Sequence, residues 1–347
     1  MLIWRLRSNA IRVFPPLPGF FFSFPGDEAS IFARFHFRPH FLQQSGFRLI
    51  DAAPGSDTLL KGTSSTEKVS NSADNFYESD AAIAQYLLLH YGGAKETFQD
   101  ARHESEPTAA LHFPKRCAEV LSDAYAKYGD APADVLGAAP PLRALDIGCA
   151  VGGSTLELTR KFDEVIGVDF SGQFIDVARS VQFKPQEVLY YPTQESGLDY
   201  GEPQAVEVDP SLDVGRASFR TGDACNLSVN TLGGPFDAVL MANLICRLPD
   251  PTKCLESLSQ EGGVGIVRKG GVVMLVTPFS WLEEYTPREK WLWDESSEFG
   301  DSFEAMCEVL KPNFELVERK PFPLMIREHR RKWQYIVPDA TIFKRIA

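Results

Sequence analysis

The chain has 347 residues, of which 44% are hydrophobic and 24% charged, and its 35 basic and 47 acidic residues leave a formal charge of -12. That balance suits a globular chain with a sizeable core, built as one domain with additions or as two. It argues against duplex nucleic acid or a polybasic membrane role, because such binding rests on Lys and Arg neutralising phosphates, so a small-molecule substrate fits better.

The first 26 residues carry Arg5, Arg7 and Arg12 and no acidic residue before Asp27. This has the outline of a transit peptide, but the prolines and phenylalanines fit that reading poorly. No apolar run reaches the roughly 20 residues that span a bilayer. Residues 51–74 are rich in Ser, Thr, Gly and Asp without apolar periodicity and read as a linker. Ala81, Ile83, Ala84, Leu87, Leu88 and Tyr91 then recur at helical spacing, with Ser79 or Asp80 as cap and Gly92-Gly93 as stop, which predicts an amphipathic helix. A second helix is expected over Lys115–Tyr128. From there strands and helices alternate, as in a parallel sheet covered on both faces. Strands are predicted at Arg143–Ile147, Glu164–Asp169, Ala217–Gly222, Phe236–Ala242 and Gly271–Thr277. The acidic stretch Gln194–Gly215 reads as a surface excursion. At the end, Phe314–Ile326 and Trp333–Phe343 flank the basic sequence REHRRK and are expected to close the sheet as an antiparallel pair. The six cysteines show no C-x-x-C pair and no zinc spacing, which predicts reduced thiols, no metal and a cytoplasmic setting.

Leu145-Asp-Ile-Gly-Cys-Ala-Val-Gly-Gly-Ser154 is a strand running into a glycine turn and a helix, a place where backbone can approach a ligand. Asp146, Gly148, Cys149 and Gly152 are its candidate binding residues, against the plain reading of a tight turn. Asp169 ends the next apolar strand at about the offset of 20 residues where a carboxylate accepts from ribose hydroxyls, with Phe170 beside it. Asp223 and Ala224 end the third strand, and Asn243 ends the fourth. The position of the second glycine, which admits pyrophosphate in dinucleotide folds, holds Ala150. A carboxylate at Asp146 would also repel a pyrophosphate, so a nicotinamide-linked oxidoreductase is disfavoured.

These four motifs, in order, resemble those of class I methyltransferases. The resemblance implies a Rossmann-like α/β fold, with a mostly parallel seven-stranded sheet, helices on both faces and a C-terminal antiparallel hairpin. It also implies S-adenosylmethionine as cofactor, with Asp223 accepting from the adenine amino group and Ala224 touching the ring.

The segments Asn75–Asp80, Tyr86–Gly92, CAVGGS, GDACNL, ANLICRL, TPFSWLEEYTP and IREHRRKWQY together are similar to the C-terminal methyltransferase domain of the bifunctional ovothiol synthase. The likeness covers residues 75–347 and implies methylation of an imidazole ring nitrogen of mercaptohistidine. Residues 1–50 resemble the closing segment of the sulfatase-modifying-factor-like domain of that synthase, a poorly packed remnant without sulfur-transfer activity. Gly153, Cys246 and Trp293 depart from the family pattern, Cys246 standing where an acidic residue is expected.

The residues also point to an amino-acid-like acceptor. A hairpin beyond the sixth strand opens on the cofactor edge, so Arg327, Arg330 and Arg331 are candidates to clamp a carboxylate, or else form a solvated turn. His329 is a candidate base or orienting partner, or a structural histidine. Tyr285 and Trp281 are candidate walls and Glu283 or Glu284 a partner for an ammonium. Tyr77 is either part of a lid or a packing aromatic. If the basic turn is only a solvated loop, Tyr77, Asn243 and Tyr285 are the next choice. A methyltransferase for another small metabolite and a non-catalytic cofactor-binding chain remain the alternatives; oligomeric state is not readable.

Overall fold

Four largely apolar runs, ending at Ile147, Asp169, Ala242 and Thr277, form the centre of the molecule, and their burial on both faces is what a parallel sheet covered by helices requires. The computed structural model describes residues 47–49, 76–98, 107–132, 139–195, 199–259, 265–293 and 301–347. The expected linker and most of the expected N-terminal remnant lie outside them. The described elements belong to one unit, Ser45–Ala347.

In chain order the elements are β1 (Phe47–Leu49), α1 (Asp80–Tyr91), α2 (Ala94–Phe98), α3 (Phe113–Tyr128), β2 (Arg143–Ile147), α4 (Gly153–Leu158), β3 (Glu164–Asp169) and α5 (Gly172–Phe183). Short strands β4 (Val188–Tyr190), β5 (Thr193–Glu195), β6 (Asp199–Tyr200) and β7 (Gln204–Ala205) follow, then β8 (Ala217–Thr221), α6 (Val229–Leu232), β9 (Phe236–Ala242), α7 (Pro251–Ser257), β10 (Val267–Thr277) and α8 (Ser302–Leu310). The chain closes with β11 (Phe314–Pro321), β12 (Leu324–His329), β13 (Lys332–Ile336) and β14 (Asp339–Arg345).

The main sheet has seven strands in the order β11-β14-β10-β9-β2-β3-β8. β2, β3, β8, β9 and β10 are parallel, and β14 runs antiparallel between β10 and β11. This is the mostly parallel, Rossmann-like seven-stranded sheet expected from the motifs, with its antiparallel C-terminal strands. Alternate residues serve opposite faces. Leu145, Ile147, Val273 and Leu275 pack with Cys254, Leu255, Met306 and Leu310 of α7 and α8. Ala144, Val272, Met274 and Ile342 pack with Leu121 and Ala124 of α3. Strand order reverses between β2 and β9, so their carboxyl ends border the crevice where open α/β sheets bind ligands.

Three expectations are corrected. α1 is not a surface amphipathic helix: from Ala82 to Tyr91 no residue is exposed, because it is packed between the α4–α5 layer and the β12 strand. Its cap is Ser79, whose side chain accepts from Ala82 N. The acidic excursion is anchored, since Val188, Tyr190 and Val206 are buried against α1 and α5, and β4 pairs with β7 on one side and β1 on the other. The final hairpin is split in two. Pro323 and Pro338 lack the N–H a ladder needs, so β11 and β14 stay in the sheet while β12 and β13 leave it as a separate ribbon. Among the described residues no helix is long and apolar enough to cross a membrane, no cluster suits a metal ion, and all six cysteines are free.

Candidate functional site

The glycine turn after β2 is built from left-handed residues: Gly148 (φ 80°), Ala150 (φ 45°) and Gly152 (φ 88°). Gly148 and Cys149 both donate their N–H to Val168 O, which binds the turn to β3. At Gly152 a Cβ would stand 2.7 Å from the Phe219 ring, so only glycine fits. Ala150 has no such licence, and a non-glycine residue held there costs on the order of 1–3 kcal/mol. The cost is offset by Asp169, whose Oδ2 accepts from Ala150 N at 2.9 Å while Oδ1 accepts from Ser171 N at 2.9 Å. Burial pushes the Asp169 carboxyl up, and these backbone donors act against that push. Beside it Phe170 is 67% exposed.

Asp146 and Cys149 lie beneath the turn rather than on its surface. Asp146 is 2% exposed and its Oδ2 accepts from Thr155 Oγ1 at 2.8 Å. Burial is the main reason its carboxyl is pushed up to about 7, with the nearby Asp169 charge adding to it. Cys149 is buried, and burial raises its thiol too. Asp223 caps the short turn Ala224–Asn226, accepting from Cys225 N at 2.8 Å.

Sequence reasoning missed His90. This half-buried imidazole accepts from Gly153 N at 3.0 Å through Nδ1, and desolvation lowers its pKa to about 3, so it stays neutral. A Cβ at position 153 would stand 2.7 Å from that Nδ1, which accounts for glycine at this departure from the family pattern.

Across the crevice Asn243 follows β9 with φ 53°, and its N–H donates to Val276 O at 2.7 Å. Its side-chain Oδ1 is buried and has no hydrogen-bond partner, an orphaned acceptor at the carboxyl edge of the sheet. A buried polar atom left in that state is costly unless a ligand supplies the donor.

Above this edge three tyrosines converge. The Tyr77 ring lies 6.0 Å from that of Tyr285, 6.2 Å from Tyr86 and 6.2 Å from Phe174. Tyr77 is anchored over the β3 end, where Ser171 Oγ donates to Tyr77 O at 3.2 Å. Burial raises all three hydroxyls, Tyr86 to about 12. Arg247, which the sequence did not single out, lies with its guanidinium 5.1 Å from the Tyr285 ring centroid.

The basic turn is elsewhere. Arg327 is buried, at 4% exposure, and donates from Nη1 to Glu96 O at 2.7 Å. Trp333 donates to Thr97 O, so the ribbon is fastened to α2. Arg330 is half-buried and Arg331 exposed, and His329 Nδ1 accepts from Arg331 N at 3.3 Å. Glu283 and Glu284 are exposed, and Trp281 is a packing residue that stacks on Trp291 and donates to Ser302 Oγ.

The family model described as a methyltransferase domain matches residues 113–344. The chain belongs to this family, and S-adenosylmethionine is its cofactor. The methyltransferase is 29% identical over 149 residues to the magnesium-protoporphyrin O-methyltransferase of Rhodobacter capsulatus, a match covering 42% of this chain and 53% of that protein. It thus spans about half the length of the curated relative it matches. It is also similar to solved structures of a SAM-dependent methyltransferase from Methanosarcina mazei (19% identity, TM-score 0.37, covering 59% of this chain and 92% of that one) and of the [4+2]-cyclase SpnF (12% identity, TM-score 0.43, 80% and 96%).

The crevice fits that cofactor on its own chemistry. The left-handed turn leaves no side chain between backbone and ligand at Gly148 and Gly152, Asp169 offers free lone pairs for ribose hydroxyls, and exposed Phe170 offers an apolar face. The orphaned Asn243 Oδ1 awaits a donor, and buried Asp146 supplies latent negative charge beneath a cationic ligand.

Proposed function

We propose that this methyltransferase methylates an imidazole ring nitrogen of a small amino-acid-like acceptor, mercaptohistidine. The observation that carries the reading is the wall of Tyr77, Tyr86 and Tyr285 over the Asn243 end of the crevice, which offers flat apolar faces and hydroxyls to a planar heterocycle. The segments that resemble the ovothiol-synthase methyltransferase domain, Asn75–Asp80, Tyr86–Gly92 and TPFSWLEEYTP, carry these three tyrosines. We keep the expected cytoplasmic setting, in which free thiols stay reduced.

Held by the glycine turn and Asp169, S-adenosylmethionine would supply an electrophilic sulfonium methyl for the lone pair of the acceptor nitrogen, the carbon–sulfur bonding pair leaving with sulfur. The chain's own part is positioning: holding the ring in line for displacement provides much of the acceleration. The tyrosine hydroxyls, raised by burial, stay protonated near neutrality and act as donors, not bases. Asn243 Oδ1 accepts from a ring N–H or an ammonium and thereby selects the orientation. None of these groups is a base near pH 7, so the acceptor enters as neutral imidazole. His329, the base considered from sequence, is not needed for that step.

The test is incubation of the purified chain with S-adenosylmethionine and mercaptohistidine, histidine or magnesium protoporphyrin, with mass-spectrometric detection of methylated products. Ring-methylated mercaptohistidine is the expected product. Methylation of the porphyrin, or of neither imidazole, overturns the reading.

A further inference from the structure

We infer that Arg247 is the anion-recognition residue of the acceptor site, so that the acceptor carries a carboxylate at one end and its reacting ring at the other. The inference rests on the proposed function only in locating the acceptor against the tyrosine wall. Arg247 ends the short turn Ile245–Arg247 that follows Asn243, so the β9 strand delivers both residues to one edge of the crevice. Its position is fixed by neutral groups. Nη1 donates to Ser280 O at 2.6 Å and to Cys246 O at 2.9 Å, and the guanidinium lies over the Tyr285 ring.

Its charge, like those of Arg116 and Arg220, meets carbonyl oxygens and no carboxylate, unlike those of most other arginines. Arg143, Arg160, Arg179, Arg216, Arg268 and Arg319 each face a carboxylate within 4.0 Å. Among the described residues none forms an ion pair with Arg247, although the chain has 47 acidic residues to spare. The adjacent side chain is the buried thiol of Cys246, 3.4 Å from Nη1, where a carboxylate would have neutralised it. Nη2 makes a long contact of 3.5 Å with Ser280 Oγ, and the Tyr77 hydroxyl is hydrogen-bonded with the guanidinium. A guanidinium carries five N–H donors, more than these neutral groups take up, and its fork suits a carboxylate. A partly buried guanidinium stacked on an aromatic ring and left without a counter-ion is an anion site awaiting its ligand.

The experiment titrates the full chain, saturated with S-adenosylhomocysteine, with mercaptohistidine and histidine and with their decarboxylated amines, by calorimetry. The native protein is expected to prefer the carboxylated ligands by about tenfold or more. Arg247→Gln should abolish the preference and Arg247→Lys should keep part of it, because lysine retains the charge but not the fork. Unchanged S-adenosylhomocysteine affinity in each variant confirms an intact fold; if Arg247→Gln does not fold, the native and Arg247→Lys titrations decide. Equal binding of carboxylated and decarboxylated ligands by the native protein, a preference that survives in Arg247→Gln, or no binding of any carboxylated ligand overturns the inference. Failure to methylate mercaptohistidine while Arg247-dependent carboxylate binding persists refutes the proposed acceptor and leaves this assignment standing.

Discussion

Asp169 holds the strained Ala150 turn in place at the carboxyl end of β3 and keeps further acceptor capacity there. Asp169→Ala therefore removes both the ribose acceptors and the tie on the turn. With each charge-assisted hydrogen bond worth about 1.5–3 kcal/mol, S-adenosylmethionine should bind at least tenfold more weakly by calorimetry, and unchanged affinity would refute the ribose assignment. Asp146 behaves differently because it is buried without a cation. Its folded carboxyl keeps its proton up to about pH 7, whereas the unfolded chain releases it near pH 4. The folded state therefore binds more protons, and the stability contributed by Asp146 is full below about pH 4 and is lost as pH rises towards 7. His90 acts with the opposite sign, since its lowered pKa of about 3 costs stability as pH falls below about 6.5. A cationic ligand favours the ionised carboxylate, so cofactor affinity should rise between pH 6 and 8. Asp146→Asn should flatten that rise and remove the loss of ligand-free stability between about pH 4 and pH 7, as read by thermal melts; an unchanged pH profile would separate Asp146 from cofactor binding.

At the scale of elements, the legible parts were those whose residues see one uniform environment. β2, β3 and β9 lie at the expected bounds because strands covered on both faces are continuous apolar runs ended by glycine, aspartate or asparagine at the crevice. α1 was legible as a helix but not in its surroundings: even Gln85, Tyr86 and His90, outside its apolar spacing, are half-buried under layers contributed from distant sequence. The split hairpin has its signal in Pro323 and Pro338, which the expectation of one continuous pair passed over, whereas the direction in which the ribbon turns is set by packing of Met325 and Trp333 against Phe98 and Leu111. That packing moves Arg327 from an expected substrate clamp to a buried fastening of α2. Arg247 could not be read from sequence, because one arginine in a short turn carries no periodic or motif signal. Arg327→Gln should accordingly lower the melting temperature by several degrees, as loss of a buried charged donor of about 1–3 kcal/mol implies. The acceptor KM should be unchanged. A raised KM with unchanged stability would return the ribbon to the substrate site.

For the whole molecule, the question is what the segment before residue 76 contributes to a methyltransferase whose family match begins at residue 113. Its described part is β1, three residues that pair antiparallel with β4 on the edge of a small sheet, from Phe47 against Tyr190 to Leu49 against Val188. Neither strand supplies a residue to the glycine turn, to Asp169, to Asn243 or to the tyrosine wall. β4 is already held from its other side by β7 and from below by the buried side chains of Val188 and Tyr190. A three-residue edge pairing contributes a few backbone hydrogen bonds, each worth about 1 kcal/mol net. Deleting Met1 to Ser70 should therefore lower the melting temperature by several degrees while S-adenosylmethionine affinity and methyl transfer persist, because Tyr77 is held by Ser171 and its neighbouring rings and not by β1. Calorimetry and a turnover assay on the truncated chain decide the matter. If the truncated chain folds but no longer binds cofactor, the segment is a working part of the site and its reading as a remnant fails.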